Sequence, residues 1–494
     1  MFSQSPPSVI RDLRSAICDP SSAIRHPPSV ICLLFFFFLP SITICHPSSV
    51  LCHPPSTPDS LPIRQIYTEA LSKRIAFGNL ETLCTKIGGR LCGSPQAAEA
   101  VQWAEKVLKG MDLDTVYLQP VKVEHWERGE GETARVTSSK TGRHALSVCA
   151  LGSSVATPAE GIQTEVVEVH HFDDLKKLGR KNIEGKIVFF NRPADPAPVY
   201  TFAAYGGAVD QRAHGAMEAA RYGAAAVIVR SATLAHDDHP HTGIQHYADS
   251  VKAIPALSVS TNGADSLSAW LKTDPKLKLY VLLSAICLPP ADSYNVIAEI
   301  KGSEHPEEII AFGGHIDSWD IGQGAHDDGV GVVQTIEVLR LFKTLGIKPK
   351  HTIRVVVFMD EEYAQRGAEA YAAAATRENT SGSRHIAAIE SDRGGFTPSG
   401  FSIDAPDSVV QKIQEWKPLL LPYGIWSIEK GGSGVDIRNL KPLGVPLVAL
   451  VTDSQRYFDY QHAASDTFDK VNLREMQLGS AAIAALVYLI DQNW

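Results

Sequence analysis

The chain has 494 residues, of which 44% are hydrophobic and 20% charged. These values are ordinary for a soluble globular protein, and the length suits two or three domains. The formal net charge is −9. Because the sequence has no dense basic patch, nucleic acid is excluded as an expected partner.

The first 57 residues differ in composition from the rest of the chain. They are rich in Ser, Pro and Cys, and a near-repeat runs through them (SVIRDLRSAIC, HPPSVIC, HPSSVLC). The apolar run at residues 31–45 is short and interrupted by Pro40, so it suits the core of a secretory signal better than a membrane helix. We therefore expect a secreted or periplasmic protein without a stable membrane span. Translated spacer ahead of the true start is the alternative.

Four cysteines lie beyond this leader, namely Cys84, Cys92, Cys149 and Cys287. No CxxC pair occurs among them, which argues against a zinc ribbon or a thioredoxin-like site. Cys84 and Cys92 could form a disulfide in an exported protein, or each could be a small buried side chain.

Residues 58–130 open the folded body of the chain. Apolar spacing predicts an amphipathic helix over residues 63–80 and a second helix over residues 97–113, with the turn-rich stretch LCTKIGGRLCGSPQ between them. TVYLQPVKVEHW alternates as a strand does. We expect this segment to be the first part of a catalytic domain.

Residues 131–288 have a different texture. KIVFFNRP predicts a short buried strand, GAMEAARYGAAAVIVR a helix followed by a strand, and IPALSVSTNGADSLSAWLK a strand, a turn and a helix. HDDHPHTGIQHYAD, at residues 236–249, is a polar loop dense in histidine. We expect a self-contained inserted domain of strands and short helices.

Residues 289–494 return to a long alternation of strands and helices. Near-continuous apolar strands of this kind predict an α/β fold with a mixed, largely parallel sheet sandwiched by helices. The predicted strands are NVIAEIKG, EIIAFGGHID, TIRVVVFMD, HIAAIES and VPLVALV, and REMQLGSAAIAALVYLIDQ is the closing helix.

Seven acidic and histidine residues of this last segment fall at strand ends or turns. In parallel sheets, sites form at the carboxyl ends of the strands. Two histidines and three carboxylates can hold two divalent cations, and a further carboxylate is left to act as a base. Imidazole and carboxylate ligands suit Zn²⁺ best, with Co²⁺ or Mn²⁺ also possible. The residues are His315, Asp317, Asp327, Glu361, Glu362, Asp392 and His462.

Local spacing suggests roles for four of these residues. His315 and Asp317 are two positions apart at a strand end, so their side chains point to the same side. This arrangement suits a metal-binding histidine whose other ring nitrogen is held by a carboxylate. Glu361 and Glu362 are adjacent and diverge, so that one can bind metal while the other acts as general base.

The combined motifs resemble peptidase family M28, which contains zinc aminopeptidases and carboxypeptidases. They are GGHIDSWDIGQGAHDDGVG, the Glu-Glu pair, ESD, and the histidine four residues before Asp-Thr in HAASDT. The segments LCTKIGGRLCGSP, VKVEHWERG, and PHTGIQHY followed by KAIPALSVS are similar to its carboxypeptidase Q branch. The resemblance covers most of the chain from Leu61 onward. It implies a protease-associated type of insert in residues 131–288.

The resemblance also implies a ligand set. One zinc ion would bind His315, Asp327 and Asp392, and the other would bind Asp327, Glu362 and His462, with Asp327 bridging. Glu361 would be the general base, and Asp317 would support His315. The family pattern further implies a cis peptide between Asp327 and Asp328.

The chain departs from the branch at several positions near the predicted site. Gln461 stands where the branch often has a second histidine. Tyr363 and Arg366 lie in a segment usually richer in glycine, and Arg393 follows Asp392 where a small residue is common. None of these changes removes a ligand, but all can alter the pocket.

Substrate contacts are less well indicated by the sequence. The resemblance places His241 near the cleft, and Asp436 lies in GGSGVD, which we interpret as a pocket loop rather than a phosphate nest. Arg393 and Arg438 are candidates for binding a free carboxylate. His326 is expected to be a neighbour of the site rather than a ligand.

The sequence therefore predicts a dizinc exopeptidase that hydrolyses short peptides, in the first place dipeptides. An aminopeptidase acting on longer peptides is the nearest alternative. A non-catalytic binding protein or a single-metal glutaminyl cyclase-like transferase on the same scaffold would be expected to lack part of the ligand set. A homodimer is possible. His351 and His385 precede strands, and we expect them at the surface.

Overall fold

The computed structural model of the chain describes residues 58–494. The predicted export segment lies outside these residues. All described residues belong to one compact unit, Pro54–Trp494. The division of the body into segments 58–130, 131–288 and 289–494 therefore stays a prediction.

The amino-terminal segment contains three helices and one strand. Lys73 has an extended backbone, so the single helix predicted over residues 63–80 is in fact two helices. The Ser94 side chain caps the third helix by accepting a hydrogen bond from Ala97 N, with Pro95 as its first residue. Cys84 and Cys92 are both buried and unpaired. The elements are α1 (Ser60–Ser72), α2 (Ile75–Thr82), α3 (Pro95–Lys109) and β1 (Thr115–Glu127), with a π-helical turn at Leu83–Ile87.

The 131–288 segment builds an eight-stranded sheet of its own, in the order β3-β2-β9-β5-β6-β7-β8-β4. Strands β5 to β8 are parallel, and β6, β7 and β8 are buried along their whole length. The elements are β2 (Glu132–Ser138), β3 (Gly142–Leu146), β4 (Val148–Ala150), β5 (Ile162–Val169), α4 (Phe172–Leu178), α5 (Arg180–Ile183), β6 (Ile187–Phe190), α6 (Thr201–Gly206), α7 (Asp210–Ala220), β7 (Ala226–Arg230), β8 (Ala256–Val259), α8 (Thr261–Thr273) and β9 (Lys278–Leu283).

The carboxy-terminal segment supplies most strands of the sheet that begins with β1, called the first sheet from here on, and the helices that cover it. The elements are β10 (Ile286–Ile300), β11 (His305–His315), α9 (Val330–Leu345), β12 (His351–Phe358), α10 (Arg366–Ser381), β13 (Arg384–Glu390), β14 (Pro398–Asp404), α11 (Asp407–Gln414), α12 (Lys417–Leu420), β15 (Ser427–Lys430), β16 (Leu447–Thr452), α13 (Tyr457–Tyr460) and α14 (Leu473–Asn493). A π-helical turn lies at Ala325–Gly329, and 3₁₀ turns lie at Leu421–Tyr423, Arg438–Leu443 and Phe468–Lys470.

The first sheet has eight strands in the order β1-β10-β12-β11-β13-β16-β14-β15. Its central strands β12, β11, β13 and β16 are parallel, whereas β1, β10 and β14 pair antiparallel at the sides. This mixed sheet with covering helices confirms the predicted α/β fold class. Because the central strands are parallel, their carboxyl ends meet at one edge.

A long antiparallel ribbon connects the two sheets. Strands β1 and β10 pair from Thr115 opposite Glu299 to Glu127 opposite Ile286, with a bulge after Val123. After β1 the chain enters the sheet of residues 131–288, called the second sheet from here on, and it returns from that sheet into β10. The 131–288 segment is therefore attached to the first sheet through two neighbouring strands.

Helix α14 is long and apolar enough to cross a membrane by length and composition, but 78% of its most apolar stretch is buried. It packs against α9 and α1 in the core that covers one face of the first sheet. A helix with apolar residues on all sides is expected in a core, and in this structure α14 is buried as a core helix.

The predicted surface positions of two histidines are wrong. His351 is buried, and its Nδ1 lies 3.2 Å from the carboxylate of Asp491 at the end of α14. His385 is buried with its Nε2 2.7 Å from the hydroxyl of Tyr371. Helices α14 and α10 cover the beginnings of these strands, which a local pattern does not reveal.

Candidate metal centre

Five of the predicted site residues form two clusters of possible metal donors at the carboxyl edge of the first sheet. The His315 cluster contains His315, Asp327 and Asp392, and the His462 cluster contains Asp327, Glu362 and His462. Within each cluster one donor atom per residue lies within 4.8 Å of the others. Asp327 belongs to both clusters.

The carboxylate of Asp327 lies between the two imidazoles. Its Oδ1 is 3.2 Å from Nε2 of His315, and its Oδ2 is 3.3 Å from Nε2 of His462. Glu362 Oε2 is 3.0 Å from the same nitrogen of His462, and Asp392 Oδ1 is 3.6 Å from that of His315. Each oxygen of Asp327 therefore serves a different cluster.

Sheet topology brings these side chains together. His315 is the last residue of β11, Asp392 follows β13 by two residues, and Glu362 follows β12 by four residues. These three strands are neighbours and parallel, so their carboxyl ends converge. His462 comes from the loop after α13, where its φ is 62°. A non-glycine residue in this left-handed region is typical of functional sites.

The loop that carries Asp327 is held by a further aspartate, Asp466. The carboxylate of Asp466 accepts hydrogen bonds from the backbone N–H of His326 at 2.8 Å and of Asp327 at 3.1 Å. Burial raises the pKa of Asp466 to about 7. The peptide bond between Asp327 and Asp328 is cis, as the family resemblance implies. Asp466 and its role were missed from the sequence, because nothing local distinguishes it in HAASDT.

A fully buried arginine stabilises the preceding turn. The guanidinium of Arg90 donates to the backbone carbonyls of Ile316 at 2.6 Å, Gln323 at 2.7 Å and Gly324 at 2.9 Å. Such carbonyl clamps carry no sequence signal, and Arg90 too was missed. The clamp fixes both ends of the segment between His315 and Asp327.

Asp317 differs from its predicted role in one detail. Nδ1 of His315 lies 3.0 Å from the backbone carbonyl of Asp317, whereas the carboxylate is 3.8 Å away. The carboxylate instead accepts hydrogen bonds from three successive backbone N–H groups, those of Asp360, Glu361 and Glu362, at 2.8, 3.2 and 3.3 Å. Asp317 therefore holds the turn that carries the Glu-Glu pair and orients His315 through its main chain.

The electrostatics of the clusters favour bound cations. Burial alone would lower the pKa of His462, but the carboxylates of Glu362 and Asp327 raise it well above its usual range. Burial raises the pKa of Asp392, against the effect of His315. The crowded carboxylates favour positive charge around the two imidazoles. A bound cation would supply that charge and stabilise the site.

Several buried donor atoms in the clusters have no hydrogen-bond partner among the described residues. These atoms are His315 Nε2, Glu362 Oε1 and Asp392 Oδ1. Buried polar atoms are normally paired, and unpaired ones call for a specific explanation. Together with the donor types, these atoms fit metal ions.

Glu361 faces a cavity rather than a cluster. It is half-buried, and its carboxylate makes no hydrogen bond to the described part of the chain. Burial raises the pKa of Glu361 well above its usual range, against the effect of His315 and with Asp392 and Glu362 adding to it. An unengaged carboxylate with a raised pKa beside the donor clusters is suited to proton transfer.

The cavity has a volume of about 290 Å³ and is lined by both parts of the molecule. The first sheet and its loops contribute the cluster residues with aromatic and polar neighbours, which are Asp327, Glu361, Glu362, Tyr363, Gln365, Asp392, Val435, Tyr457, Phe458, Gln461 and His462. The 131–288 segment contributes Phe202, Tyr205, Arg212, Ile244 and His246.

The predicted substrate contacts lie beside this cavity, and neither is among its lining residues. His241 is buried, and its Nδ1 is 2.6 Å from the carbonyl of Gln461. Asp436 is buried, and both carboxylate oxygens lack a hydrogen-bond partner in the described chain. Burial raises the pKa of Asp436 well above its usual range, and the nearby carboxylates of Glu390 and Glu361 add to the shift. Both predictions stay predictions.

Arg393 and Arg438, the candidates for carboxylate binding, have other partners in this structure, and their predicted role stays a prediction. Arg393 donates to the hydroxyl of Tyr200 at 3.1 Å and lies over the ring of Phe202, and Arg438 donates to the side chain of Gln365. Neither lines the cavity.

Arg212, from α7 of the 131–288 segment, is the arginine that lines the cavity, and it was missed from the sequence. It is buried, its Nη1 is 3.1 Å from Nδ1 of His462, and its Nε has no hydrogen-bond partner in the described chain.

His326 is a neighbour of the centre and belongs to neither cluster. Its ring stacks on Phe396 and Tyr460, at centroid distances of 4.3 and 5.4 Å. Its Nδ1 accepts a hydrogen bond from the backbone N–H of Gly395 at 3.1 Å. His326 therefore packs the floor of the site.

Known proteins share both sequence and fold with this chain. Residues 295–487 match the model of peptidase family M28. Carboxypeptidase Q of Bos taurus is 36% identical over 425 residues, which cover 86% of this chain and 86% of that protein. A solved peptidase M28 precursor from Shewanella amazonensis SB2B is 34% identical, with a TM-score of 0.83 over 88% of this chain and 96% of that chain.

A more distant solved structure shares the fold alone. It is BSAP, a zinc aminopeptidase from Bacillus subtilis, with 18% identity and a TM-score of 0.61 over 84% of this chain and 94% of that chain. The M28 motifs, the whole-length similarity and the placement of the donor clusters agree. The chain belongs to peptidase family M28 and is a metallo-exopeptidase similar to carboxypeptidase Q.

Proposed function

We propose that this metallo-exopeptidase is a dizinc enzyme that hydrolyses free dipeptides. The observation that carries the proposal is the position of Asp327, whose two oxygens lie 3.2 and 3.3 Å from the Nε2 atoms of His315 and His462. A carboxylate shared in this way is what a pair of neighbouring ions requires. Mixed imidazole and carboxylate donors favour zinc, and the Bacillus subtilis relative is described as a zinc aminopeptidase.

In this proposal the His315 cluster holds one ion and the His462 cluster holds the other. When bound, zinc would polarise the scissile carbonyl and lower the pKa of water, as metal ions do in hydrolytic sites. Glu361 takes a proton from the attacking water as its oxygen bonds to the carbonyl carbon. When the C–N bond breaks, Glu361 returns that proton to the leaving nitrogen. Its backbone N–H is fixed by Asp317 at 3.2 Å, which holds the base in place.

Arg212 is the residue we propose for the substrate carboxylate. Its guanidinium lines the cavity, and its buried Nε is unpaired within the described chain. An arginine fork binds a carboxylate more strongly than a neutral donor does. Because Arg212 Nη1 is 3.1 Å from Nδ1 of His462, a carboxylate bound there leaves room for few residues on the carboxyl side of the scissile bond, which agrees with a dipeptide.

The shape of the cavity supports a small substrate with an apolar side chain. Its volume of about 290 Å³ lies at the lower end of the range for small-molecule sites. Phe202, Tyr205, Tyr457 and Phe458 form an aromatic wall. We propose Asp436 as the group that faces the positively charged amino end of the substrate, and His241 as a residue that supports the cavity near Gln461.

The proposal is tested with a panel of free dipeptides, N-acetylated dipeptides, C-terminally amidated dipeptides and tripeptides. Purified protein starting near residue 58 is assayed with and without a chelator. We expect chelator-sensitive cleavage of free dipeptides only. Glu361→Gln should lower kcat by about 10²–10⁴-fold, whereas Glu429→Gln, at the exposed end of β15, should leave it unchanged.

Other outcomes of the panel would overturn the dipeptidase assignment. Cleavage of amidated dipeptides and tripeptides would indicate an aminopeptidase acting on longer peptides. Cleavage of N-acetylated dipeptides would indicate a carboxypeptidase without a need for a free amino end. Two bound ions without cleavage of any peptide would indicate a binding protein.

Export of the enzyme is part of the proposal. It is based on the signal-like apolar run at residues 31–45. Expression of the full chain with its leader, followed by amino-terminal sequencing of the protein from the medium or periplasm, tests it. A mature terminus between residues 45 and 60 is expected, and retention of the uncleaved leader inside the cell would contradict it.

A further inference from the structure

Trp319 makes the shortest hydrogen bond to a side chain of the donor clusters. Its indole Nε1 donates to Oε2 of Glu362 at 2.6 Å. The ring is buried and lies 5.3 Å from the ring of Tyr363 and 5.7 Å from that of His462. The indole thus touches two of the three residues of the His462 cluster.

The two carboxylate oxygens of Glu362 have different surroundings. Oε1 is buried and has no partner in the described chain, while Oε2 is held between the indole and Nε2 of His462. An indole nitrogen is a donor only, so it can pair with an acceptor oxygen but cannot accept a proton from a carboxylic acid. Trp319 therefore fixes the position of Oε2 and, with it, the direction of the unpaired Oε1.

The 131–288 segment fixes the indole from the other side. At Gly152, which follows β4, an added Cβ atom would lie 2.1 Å from the Cη2 atom of Trp319. Only glycine permits this close approach of backbone to ring. The loop after β4 therefore lies directly against the ring of Trp319.

A bidentate ion pair holds Asp320, the residue that follows Trp319. Arg128, between β1 and β2, donates to both carboxylate oxygens of Asp320, at 2.9 and 2.6 Å. The same guanidinium donates to the carbonyl of Ala150 at 2.7 Å and to Glu132 at 2.9 Å. Bidentate pairs of this kind fix geometry as well as charge. Trp319 is thus clamped between the second sheet and Glu362.

Within the described chain, His315 and Asp392 have no hydrogen bond to the 131–288 segment. Asp392 Oδ1 has no hydrogen-bond partner there, and the Nδ1 atom of His315 lies 3.0 Å from the main-chain carbonyl of Asp317. The two clusters should therefore respond differently to the loss of Trp319.

We propose that Trp319 is a positioning residue that sets the metal affinity of the His462 cluster alone, and that the 131–288 segment acts on this affinity through Gly152 and the Arg128–Asp320 pair. This inference rests on the proposed function, since it presumes that both clusters bind metal. Removing a group that orients a metal ligand typically weakens affinity about 10–100-fold.

The test compares Trp319→Phe with a matched control, Trp416→Phe. Trp416, at the start of α12, is also buried in the hydrophobic core, and it lies in the chain between β14 and β15, which contributes no residue to the clusters or to the contacts of Trp319 described above. Zinc is titrated into the metal-stripped wild type and variants against a chromophoric chelator, and thermal unfolding of each stripped protein is followed in parallel. We expect one of two zinc dissociation constants to rise about 10–100-fold in Trp319→Phe only.

A second variant keeps the inference testable if Trp319→Phe fails to fold. Gly152→Ala pushes a methyl group against the ring from the 131–288 segment, without changing a residue of either cluster. It should raise the same single dissociation constant, with the other unchanged.

Each remaining result has a defined meaning. If Trp319→Phe binds both ions as tightly as the wild type does, Trp319 has no positioning role and the dizinc proposal stands. If Trp416→Phe weakens zinc binding equally, the effect is general packing and the inference is wrong. If the wild type binds fewer than two ions, the dizinc proposal itself fails and the inference fails with it.

Discussion

The two donor clusters share Asp327 but are built from different parts of the molecule. The His315 cluster depends on parallel strands of one sheet, since His315 and Asp392 follow neighbouring strands β11 and β13. The His462 cluster borrows support from the 131–288 segment, because Nδ1 of His462 lies 3.2 Å from the carbonyl of Thr242 and 3.1 Å from Arg212. The His315 cluster is therefore supported by the first sheet alone, whereas the His462 cluster, called the adjustable half below, is also contacted by residues of the second sheet's segment.

Because the two clusters differ in this way, substrate choice can vary on a fixed hydrolytic scaffold. Strand ends fix the ligands that the chemistry needs. The cavity wall and the support of His462 come from loops and helices of the second sheet, where changes are better tolerated than in a buried parallel sheet. We expect substitutions in the two halves to have separable effects.

The largest effect is expected from Asp327→Asn, because this carboxylate serves both clusters. An amide cannot provide two anionic oxygens, so both ions should be lost and activity should fall to background. Metal content by mass spectrometry and the dipeptide assay are the measurements. Asp404→Asn, which removes the half-buried partner of the exposed Lys441, is the control and should change neither. Full metal content in Asp327→Asn would show that the clusters are not coupled.

Single-cluster substitutions should separate the two halves. Asp392→Asn is expected to lose the ion of the His315 cluster and keep the other, whereas Glu362→Gln is expected to do the reverse. Each protein should bind one zinc ion per chain and lose most of its activity. X-ray absorption at the zinc edge can tell the remaining sites apart. Loss of both ions in both variants would contradict the division into two clusters.

The residues of the two donor clusters were largely predictable from the sequence. His315, Glu362 and Asp392 lie at the ends of long apolar strands, and parallel pairing of these strands alone brings them to one edge. The core strands β11, β12 and β13 were predictable for the same reason. Strands β14 and β15 were not, because β14 contains Pro398 and Gly400 and β15 has only four residues.

The supports of the site were not predictable, since they depend on contacts between distant segments. Arg212 precedes His462 by 250 residues and lies in a helix with no motif. Arg90 and Asp466 bind backbone groups, which leave no trace in residue spacing. The preference of His315 for the main chain of Asp317 depends on the turn that occupies the Asp317 carboxylate.

Arg212→Gln tests the substrate side of the adjustable half. Removing one partner of a buried charge pair costs roughly 2 kcal/mol or more, on the order of 30-fold in kcat/KM. We expect this loss for free dipeptides, and little change in the inhibition constant of an amidated dipeptide, which lacks the carboxylate. Arg438→Gln, a substitution of one of the two arginines that the sequence suggested, should leave both constants unchanged. An inhibition constant that rises as much as kcat/KM falls would mean that Arg212 serves His462 rather than the substrate.

The smallest effect is expected at the beginning of α4, far from the chemistry. Asp174 accepts hydrogen bonds from the backbone N–H of His170 and His171, and its bond with Lys177 does most to lower its pKa, to about 2. Because the folded pKa is depressed, this stabilisation is present above the ordinary pKa near 4 and is lost as the pH falls through about 2.

Asp174→Ala should therefore destabilise the protein by about 1 kcal/mol or less at pH 7, as loss of an exposed helix cap does. The difference in Tm from the wild type should shrink between pH 4 and pH 3. Dipeptide kinetics should be unchanged. A difference in Tm that is constant with pH would contradict the role given to the ionised carboxylate.

The most direct test of a shared carboxylate between two ions is anomalous diffraction. Crystals of the zinc-loaded protein are measured at wavelengths on either side of the zinc absorption edge. We expect two anomalous peaks about 3.5–4 Å apart, one beside His315 and one beside His462, with an oxygen of Asp327 directed at each. A single peak, or two peaks that do not both contact Asp327, would contradict the dizinc centre.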